Sequence, residues 1–267
     1  MDTRYGVTHT CDKCERKAKF HAVTKRRSYA CNFCGHQVYP TADTPMHRTR
    51  TSLRDWFYVI FLFCASRNGV AAKEVERQLG VTYKTAWRMC HEIRKYMAAL
   101  DSDDPLGGFG ETVEIDETLI GGSVSGKGSG YKGNKTCVVG MLERGGELVT
   151  RVVHSRTKQA MQAVILGHIL PGTTLNTDEF GGYKDIAQSG YRHVTVNHSK
   201  GQYATAKGAG VNAMEGFWAQ LKRGINGMHI HVSGKHLWKY LGEFEYRYNM
   251  RHAPHLMVDR MMASFAR

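Results

Sequence analysis

Cys11-x-x-Cys14 and Cys31-x-x-Cys34, with 16 residues between the pairs, constrain this chain more than any other stretch. Two thiolate knuckles joined by a hairpin offer four sulfur ligands to one tetrahedral Zn²⁺, and a unit this short has no other means of assembling a stable core. Two redox pairs are the alternative reading, but a redox centre wants one CxxC at a strand-to-helix junction and not two. The intervening hairpin carries Arg16, Lys17, Lys19, Lys25, Arg26 and Arg27, with Phe20 and Tyr29 interleaved. The spacing therefore predicts a zinc ribbon over residues 1–45, and its charge predicts contact with DNA, Lys25, Arg26 and Arg27 foremost.

The formal net charge of +13 is concentrated in that direction, since residues 1–100 hold 18 Lys and Arg against 8 Asp and Glu. Such asymmetry points to a polyanion partner, because basic side chains gain affinity for nucleic acid by releasing condensed counterions. The first residues lack the apolar run of a secretory signal, and the longest apolar run, Trp56 to Ala65, is far short of the roughly 20 residues a spanning helix needs. An intracellular protein without a membrane segment is expected. In that setting seven cysteines argue for metal or free thiols and against a disulfide framework.

Residues 46–104 read as a small helical domain. A helix from about Ser52 to Ser66 precedes Ala72 to Leu79, a glycine turn at Gly80, and a further helix capped by Thr82 and running to Arg94. This is the helix-turn-helix pattern, with Thr82, Tyr83, Lys84, Thr85 and Arg88 towards a groove and Ala86, Met89 and Ile93 inward. An ordinary helical bundle is the alternative. The acidic, Gly-rich stretch Asp101 to Gly110 marks the next boundary.

Val113-Glu-Ile-Asp-Glu-Thr118 suits a strand whose alternation turns Val113 and Ile115 to one face and Glu114 and Asp116 to the other. A lone carboxylate there would read as a salt-bridged or solvent-facing acid. Downstream, however, Leu175 to Asp178 is a short strand ending in a second acid. Val211 to Gly224 reads as a helix with Asn212, Glu215 and Lys222 along one side and Phe217, Trp218 and Leu221 as apolar surface. Acids that converge from two strands and a helix suit two divalent cations, which is what in-line phosphoryl transfer requires. Three meandering strands, a helix, a strand, a helix, a strand and a late helix follow the order of an α/β, RNase H-like fold. Gly121 to Lys135 is expected as a strand-to-strand loop, either one whose Lys127 and Lys132 close on a phosphate backbone or a plain flexible hairpin loop. Met228 to His231 is expected as a loop near DNA, leading into a helix from Lys235 to Asn249 with Leu237, Tyr240, Leu241, Phe244 and Tyr248 on its packing stripe.

The same residues resemble the insertion-sequence 1595 family of DDE-type transposases. The likeness is carried by Val113-Glu-Ile-Asp116-Glu-Thr, Ile120-Gly-Gly, Thr177-Asp178-Glu-Phe-x-x-Tyr183, Val196-Asn-His198-Ser, Asn212-x-x-Glu215-x-Phe-Trp218-x-x-Leu-Lys222-Arg223-Gly224, Lys235-His-Leu, Glu243-Phe and Arg247-Tyr-Asn249. It implies an RNase H-like catalytic domain over residues 105–267, joined to the zinc ribbon and the helix-turn-helix. Asp116 and Asp178 would be the first two metal-binding acids, with Glu215 as the third and 36 residues between Asp178 and Glu215. Asn212, a turn away, is the competing third ligand, and a hard dication favours the carboxylate. Lys222 matches a lysine that holds terminal phosphate, Arg223 stands beside it, and His198 is either an accessory group or a structural histidine.

The resemblance implies structural Zn²⁺, two catalytic Mg²⁺ with Mn²⁺ as substitute, and double-stranded DNA of transposon ends and target as partner. It also implies a homodimer or larger homo-oligomer on DNA, in the cytoplasm and nucleoid of a bacterium or archaeon. The expected function is binding of terminal inverted repeats, then strand cleavage and strand transfer. A zinc-ribbon transcription regulator and an RNase H-like nuclease without a joining step are the alternatives.

Overall fold

Strand pairing among the described residues makes three sheets, two of them small and one that carries the carboxylates. The computed structural model describes residues 8–101, 104–121, 135–196 and 210–264. Two compact units result, Met1–Cys64 with His255–Arg267, and Ala65–Pro254.

In the first unit, β1 (His9–Thr10) pairs with β2 (Lys17–Ala18), and β3 (Phe20–Val23), β4 (Ser28–Cys31) and β5 (Gln37–Val38) form an antiparallel sheet. The ribbon's buried core is Cys11, Ala18 and Cys31, with Cys14 and Phe20 packed against it, so the cysteines are most of the core. Helix α1 (Leu53–Ala65) starts where Ser52 Oγ accepts the Asp55 N–H at 3.1 Å. It buries Trp56, Val59, Ile60 and Phe63, the i, i+3, i+4, i+7 stripe of an amphipathic helix. No helix among the described residues is long and apolar enough to cross a membrane.

The second unit opens with α2 (Ala72–Leu79) and α3 (Tyr83–Leu100). Gly80 ends α2 at φ 65°, a conformation that costs glycine no Cβ clash, and Thr82 caps α3 by accepting the Thr85 N–H. Ala86, Met89 and Ile93 are buried, while Thr82, Tyr83, Lys84 and Arg88 are exposed and Thr85 is half-buried. The turn and the buried face fall where the sequence pattern places them, an arrangement that an ordinary helical bundle shares.

The large sheet is built from β6 (Thr112–Ile120), β7 (Thr136–Glu143), β8 (Leu148–Val153), β9 (Thr174–Thr177) and β10 (Arg192–Thr195), in the order β10-β9-β6-β7-β8. The first three strands are antiparallel, and β9 and β10 run parallel to β6. Three meandering strands followed by two parallel ones across the first strand is the RNase H-like arrangement, but the helix expected between the last two strands is replaced by two 3-10 turns, Gly181–Tyr183 and Ile186–Ser189, because the glycines at 181, 182 and 190 break the segment.

One face of this sheet packs Val113, Ile115, Val139 and Met141 against Met161 and Ile165 of α4 (Lys158–His168). The other packs Val138, Leu142 and Leu148 against Met214, Phe217, Trp218 and Leu221 of α5 (Asn212–Gly224), and Leu237, Leu241 and Phe244 of α6 (Gly234–Asn249). Gly140 lies opposite Asp116 across β6 and β7, and a Cβ there would stand 2.6 Å from Trp218 and collide with Met214. The missing side chain lets α5 lie close over the strand that holds the acid. A short final helix, α7 (Met257–Ser264), returns to the first unit.

The join between α3 and α6 is ionic and buried. Arg94 Nε donates to Glu243 Oε2 at 2.6 Å, Arg247 Nη1 to Glu243 Oε1 at 2.5 Å, and Arg94 Nη2 to the Val70 carbonyl at 2.8 Å. Arg94 also lies over the Tyr240 ring, 4.2 Å from its centroid. Burial by itself would push the Glu243 carboxyl up, but Arg247 and Arg94 hold it below the ordinary value.

Glu243→Gln would leave two buried guanidiniums facing a neutral amide, and should lower stability by about 3–5 kcal/mol, read as a shifted denaturant midpoint. The native value is depressed, so this contribution is present above the ordinary carboxylate range and fades as pH falls through the lowered native one. An unchanged midpoint at neutral pH would show that the triad does not hold α3 to α6.

Candidate active site

The registered pairing of β6 with β9 ends at Glu114 opposite Asn176, and β9 itself ends at Thr177. Beyond that point β6 continues without β9 beside it, at the carboxyl ends of two parallel strands, a place where open α/β sheets form crevices. Asp116, Glu117 and Asp178 bring ligand oxygens within 4.8 Å of one another there. Asp178, Glu179, Val211 and Glu215 line the cleft with Asp116, so α5 forms its far wall. Asp178 is fixed by the Phe180 N–H, which donates to Oδ1 at 3.0 Å, and Asp116 by the Glu117 N–H at 2.9 Å.

The carboxylates repel one another. Burial pushes the Asp116 carboxyl up to about 7, with the charges of Glu117, Asp178 and Glu215 adding to the shift. Glu117 is partly neutralised, since Arg156 pairs with Oε1 and the Tyr183 hydroxyl donates to Oε2 at 2.6 Å. Tyr183 is buried beneath it on the α4 side. Hard oxygen donors crowded this closely, with Asp116 short of compensating charge, are suited to divalent cations.

In the ribbon, all four cysteine sulfurs fall within 4.8 Å of one another, Cys11 to Cys34 at 3.6 Å and Cys14 to Cys31 at 3.9 Å. A tetrahedron with Zn–S bonds of about 2.3 Å has edges of about 3.8 Å, so the sulfurs already stand at the spacing Zn²⁺ needs.

Residues 105–249, more than half of the chain, match the family described as the ISXO2-like transposase domain. The chain belongs to this family of DDE-type transposases. Among solved structures, the crystal structure of a pre-cleavage Mos1 transpososome is similar over 82% of this chain and 80% of that chain, at 10% identity and a TM-score of 0.31. No curated protein matches.

In this transposase Asp116, Asp178 and Glu215 share one cleft, although the Glu215 carboxylate is not in the 4.8 Å cluster and Glu117 is. Asn212 opens α5 and is exposed, and Lys222 and Arg223 are exposed in its last turn. Lys25, Arg26 and Arg27 are exposed on the ribbon hairpin. Lys127, Lys132 and His198 lie outside the described residues.

Sequence reasoning missed two acids. Glu117 enters the cluster because β9 stops short, which strand alternation cannot foretell. Glu114 is buried and accepts the Ala213 and Met214 N–H groups at 3.0 and 3.3 Å on Oε2, while Arg144 Nε donates to Oε1 at 3.0 Å. Arg144 Nη2 and Asn176 Nδ2 also donate to the Gly210 carbonyl, at 3.3 and 3.4 Å. A carboxylate on the first N–H groups of a helix is favourable both by hydrogen bonding and by the helix dipole. Glu114 is thus the positioning residue for the helix that carries Glu215. Its place two residues before Asp116, on the same face, was the available signal.

Proposed function

We infer that this transposase binds the terminal inverted repeats of its own insertion sequence and carries out metal-dependent strand cleavage and strand transfer. The observation that carries the reading is the convergence of Asp116, Asp178 and Glu215 on one cleft in which burial and like charge raise Asp116. In their ionised forms Asp116 and Asp178 would hold Mg²⁺, or Mn²⁺ in its place, with Glu215 as third ligand. Two such ions would activate the attacking oxygen and stabilise the leaving one in an in-line displacement. Glu117, held by Arg156 and Tyr183, adds a further carboxylate oxygen beside Asp116. Lys222 and Arg223 would grip the terminal phosphates from the end of α5.

End recognition falls to the first hundred residues. Lys25, Arg26 and Arg27 would clamp phosphates, and Thr82, Tyr83, Lys84, Thr85 and Arg88 would meet base edges. Functional divisions at 1–45, 46–104 and 105–267 follow from this assignment.

The test uses labelled duplex bearing the repeat that flanks the gene, with binding read in Ca²⁺ and cleavage and strand transfer in Mg²⁺ and Mn²⁺. Glu215→Gln should reduce cleavage by about 100-fold or more, and Asn212→Ala by no more than about tenfold if the amide only orients a water or phosphate beside the ligands. The reverse ranking would transfer the third-ligand role to Asn212. A wild-type protein that binds the ends but neither cuts nor joins them would overturn the reading.

A further inference from the structure

After Gly224 the α5 backbone does not end in a loop but widens into a π-helical turn, Ile225–His229. Such turns are rare and concentrate at functional sites. Ile230 follows at φ 61° and ψ −55°, and the His231 N–H donates back to the His229 carbonyl at 2.6 Å. This is the strained γ-turn with positive φ, which a β-branched residue tolerates poorly. Both feet of the turn are anchored. The His229 ring packs edge-on to Tyr240 at 4.8 Å, and Ile225 and Val232 are buried in the core cluster of α5 and α6. The Ile230 side chain, by contrast, is 85% exposed, an apolar group held out into solvent at a cost in backbone strain.

Its surroundings indicate what it meets. Lys222, Ile230 and His231 line one pocket with Ile120 and Gly121, at the end of the strand that bears Asp116. Residues 222–236 contain Lys222, Arg223 and Lys235 and no acid, so the segment itself is cationic, and the acids beside it, Glu74 and Glu76, stand on the Met228 side with Lys73 and Arg77. Lys222 is seven residues along α5 from Glu215, about 10 Å by helical rise, and Ile120 four residues along β6 from Asp116, about 13 Å. At about 3.4 Å per nucleotide, Ile230 stands roughly three to four steps from the carboxylates.

We propose that Ile230 is a wedge that enters the base stack of the bound DNA three to four nucleotides from the scissile phosphate, unstacking the duplex while Lys222 holds the adjacent backbone. Apolar side chains used in this way open a base step and let the strand bend into a site a straight duplex cannot reach. The wedge rests on the proposed end-cleaving function. It is mounted rigidly because a flexible side chain would fold back onto the protein instead of entering the stack.

End duplexes carrying 2-aminopurine at each of the first six positions from the cleavage site report unstacking as a rise in fluorescence. With wild-type protein in Ca²⁺ the rise should be confined to the third or fourth position. Ile230→Ala and Ile230→Gly should bind the duplex but lose that rise, and in Mg²⁺ should cut it about 10- to 100-fold more slowly, the scale set by unstacking one step. A duplex mismatched at that position should be cut by both variants within about twofold of wild type. Glycine relieves the positive φ, so Ile230→Gly should melt no lower than wild type, which separates loss of the wedge from loss of the fold.

Unchanged fluorescence and cleavage in Ile230→Ala would overturn the wedge while leaving the end-cleaving function intact. A defect that the mismatch does not rescue would also overturn it, making the turn a docking or structural element. Wild-type protein that cuts neither duplex would overturn the function on which the wedge depends.

Discussion

Asp116→Asn should abolish cleavage and strand transfer, by about 1,000-fold or more, with end binding in Ca²⁺ retained. The loss follows from removing a charged ligand at the centre of the cluster, where cation stabilisation of the developing charge is worth several kcal/mol and each 1.4 kcal/mol is tenfold in rate. The same substitution should stabilise the metal-free protein. Asp116 has a native value of about 7, above the roughly 3.9 of an unfolded chain, so the folded state binds more protons between those values. Stability from this group is complete below about pH 4 and is lost as pH rises through 7. At pH 8 Asp116→Asn should therefore raise the melting temperature of metal-free protein, by on the order of 2 kcal/mol in stability. Millimolar Mg²⁺ should narrow the gap by stabilising only the wild type. At limiting Mg²⁺, activity should fall as pH is lowered, because the proton competes with the cation for Asp116, and added Mg²⁺ should move that fall to lower pH. Normal cutting by Asp116→Asn would remove the phosphoryl-transfer reading altogether, and a lower melting temperature in the metal-free variant would show that the charge is compensated.

Removal of zinc should be the largest structural perturbation available. The ribbon's strands are two to four residues long, and its buried core is Cys11, Ala18 and Cys31. So little apolar area cannot offset the chain entropy of ordering these residues. Structural Zn²⁺ supplies about 10–16 kcal/mol in small sites of this kind, so its loss exceeds anything the ribbon's packing could replace. Purified protein should carry one zinc. Cys31→Ser or prolonged chelation should collapse the dispersed amide spectrum of residues 8–38, leave the melting transition of the Ala65–Pro254 unit in place, and reduce affinity for end DNA. A metal-free ribbon that stays folded and binds normally would refute the assignment.

The sequence by itself determined the features that depend on neighbours close in the chain. Two CxxC knuckles dictate four sulfurs at one centre, and the i, i+3, i+4 stripe of α5 dictates that Phe217, Trp218 and Leu221 go inward and Glu215 and Lys222 do not. Thr82 with the glycine at 80 dictates the turn between α2 and α3. These readings needed only local geometry and the spacing of residue types.

Only the tertiary structure decided the rest, because it depends on contacts between residues far apart or on backbone angles that side-chain identity does not specify. Glu243 closes a buried triad with Arg94, 149 positions away. Glu114 looked like one more acid on a strand until α5 set its first N–H groups upon it, and the space a side chain at Gly140 would take is filled by Trp218 and Met214, far along the chain. The stretch Met228 to His231 read as a loop because nothing in its residues announces a π-helical turn followed by a strained γ-turn. That backbone exists because His229 and Val232 are anchored in a core assembled from α5, α6 and the sheet, and packing energy summed over those elements offsets a local strain that the segment alone would relax.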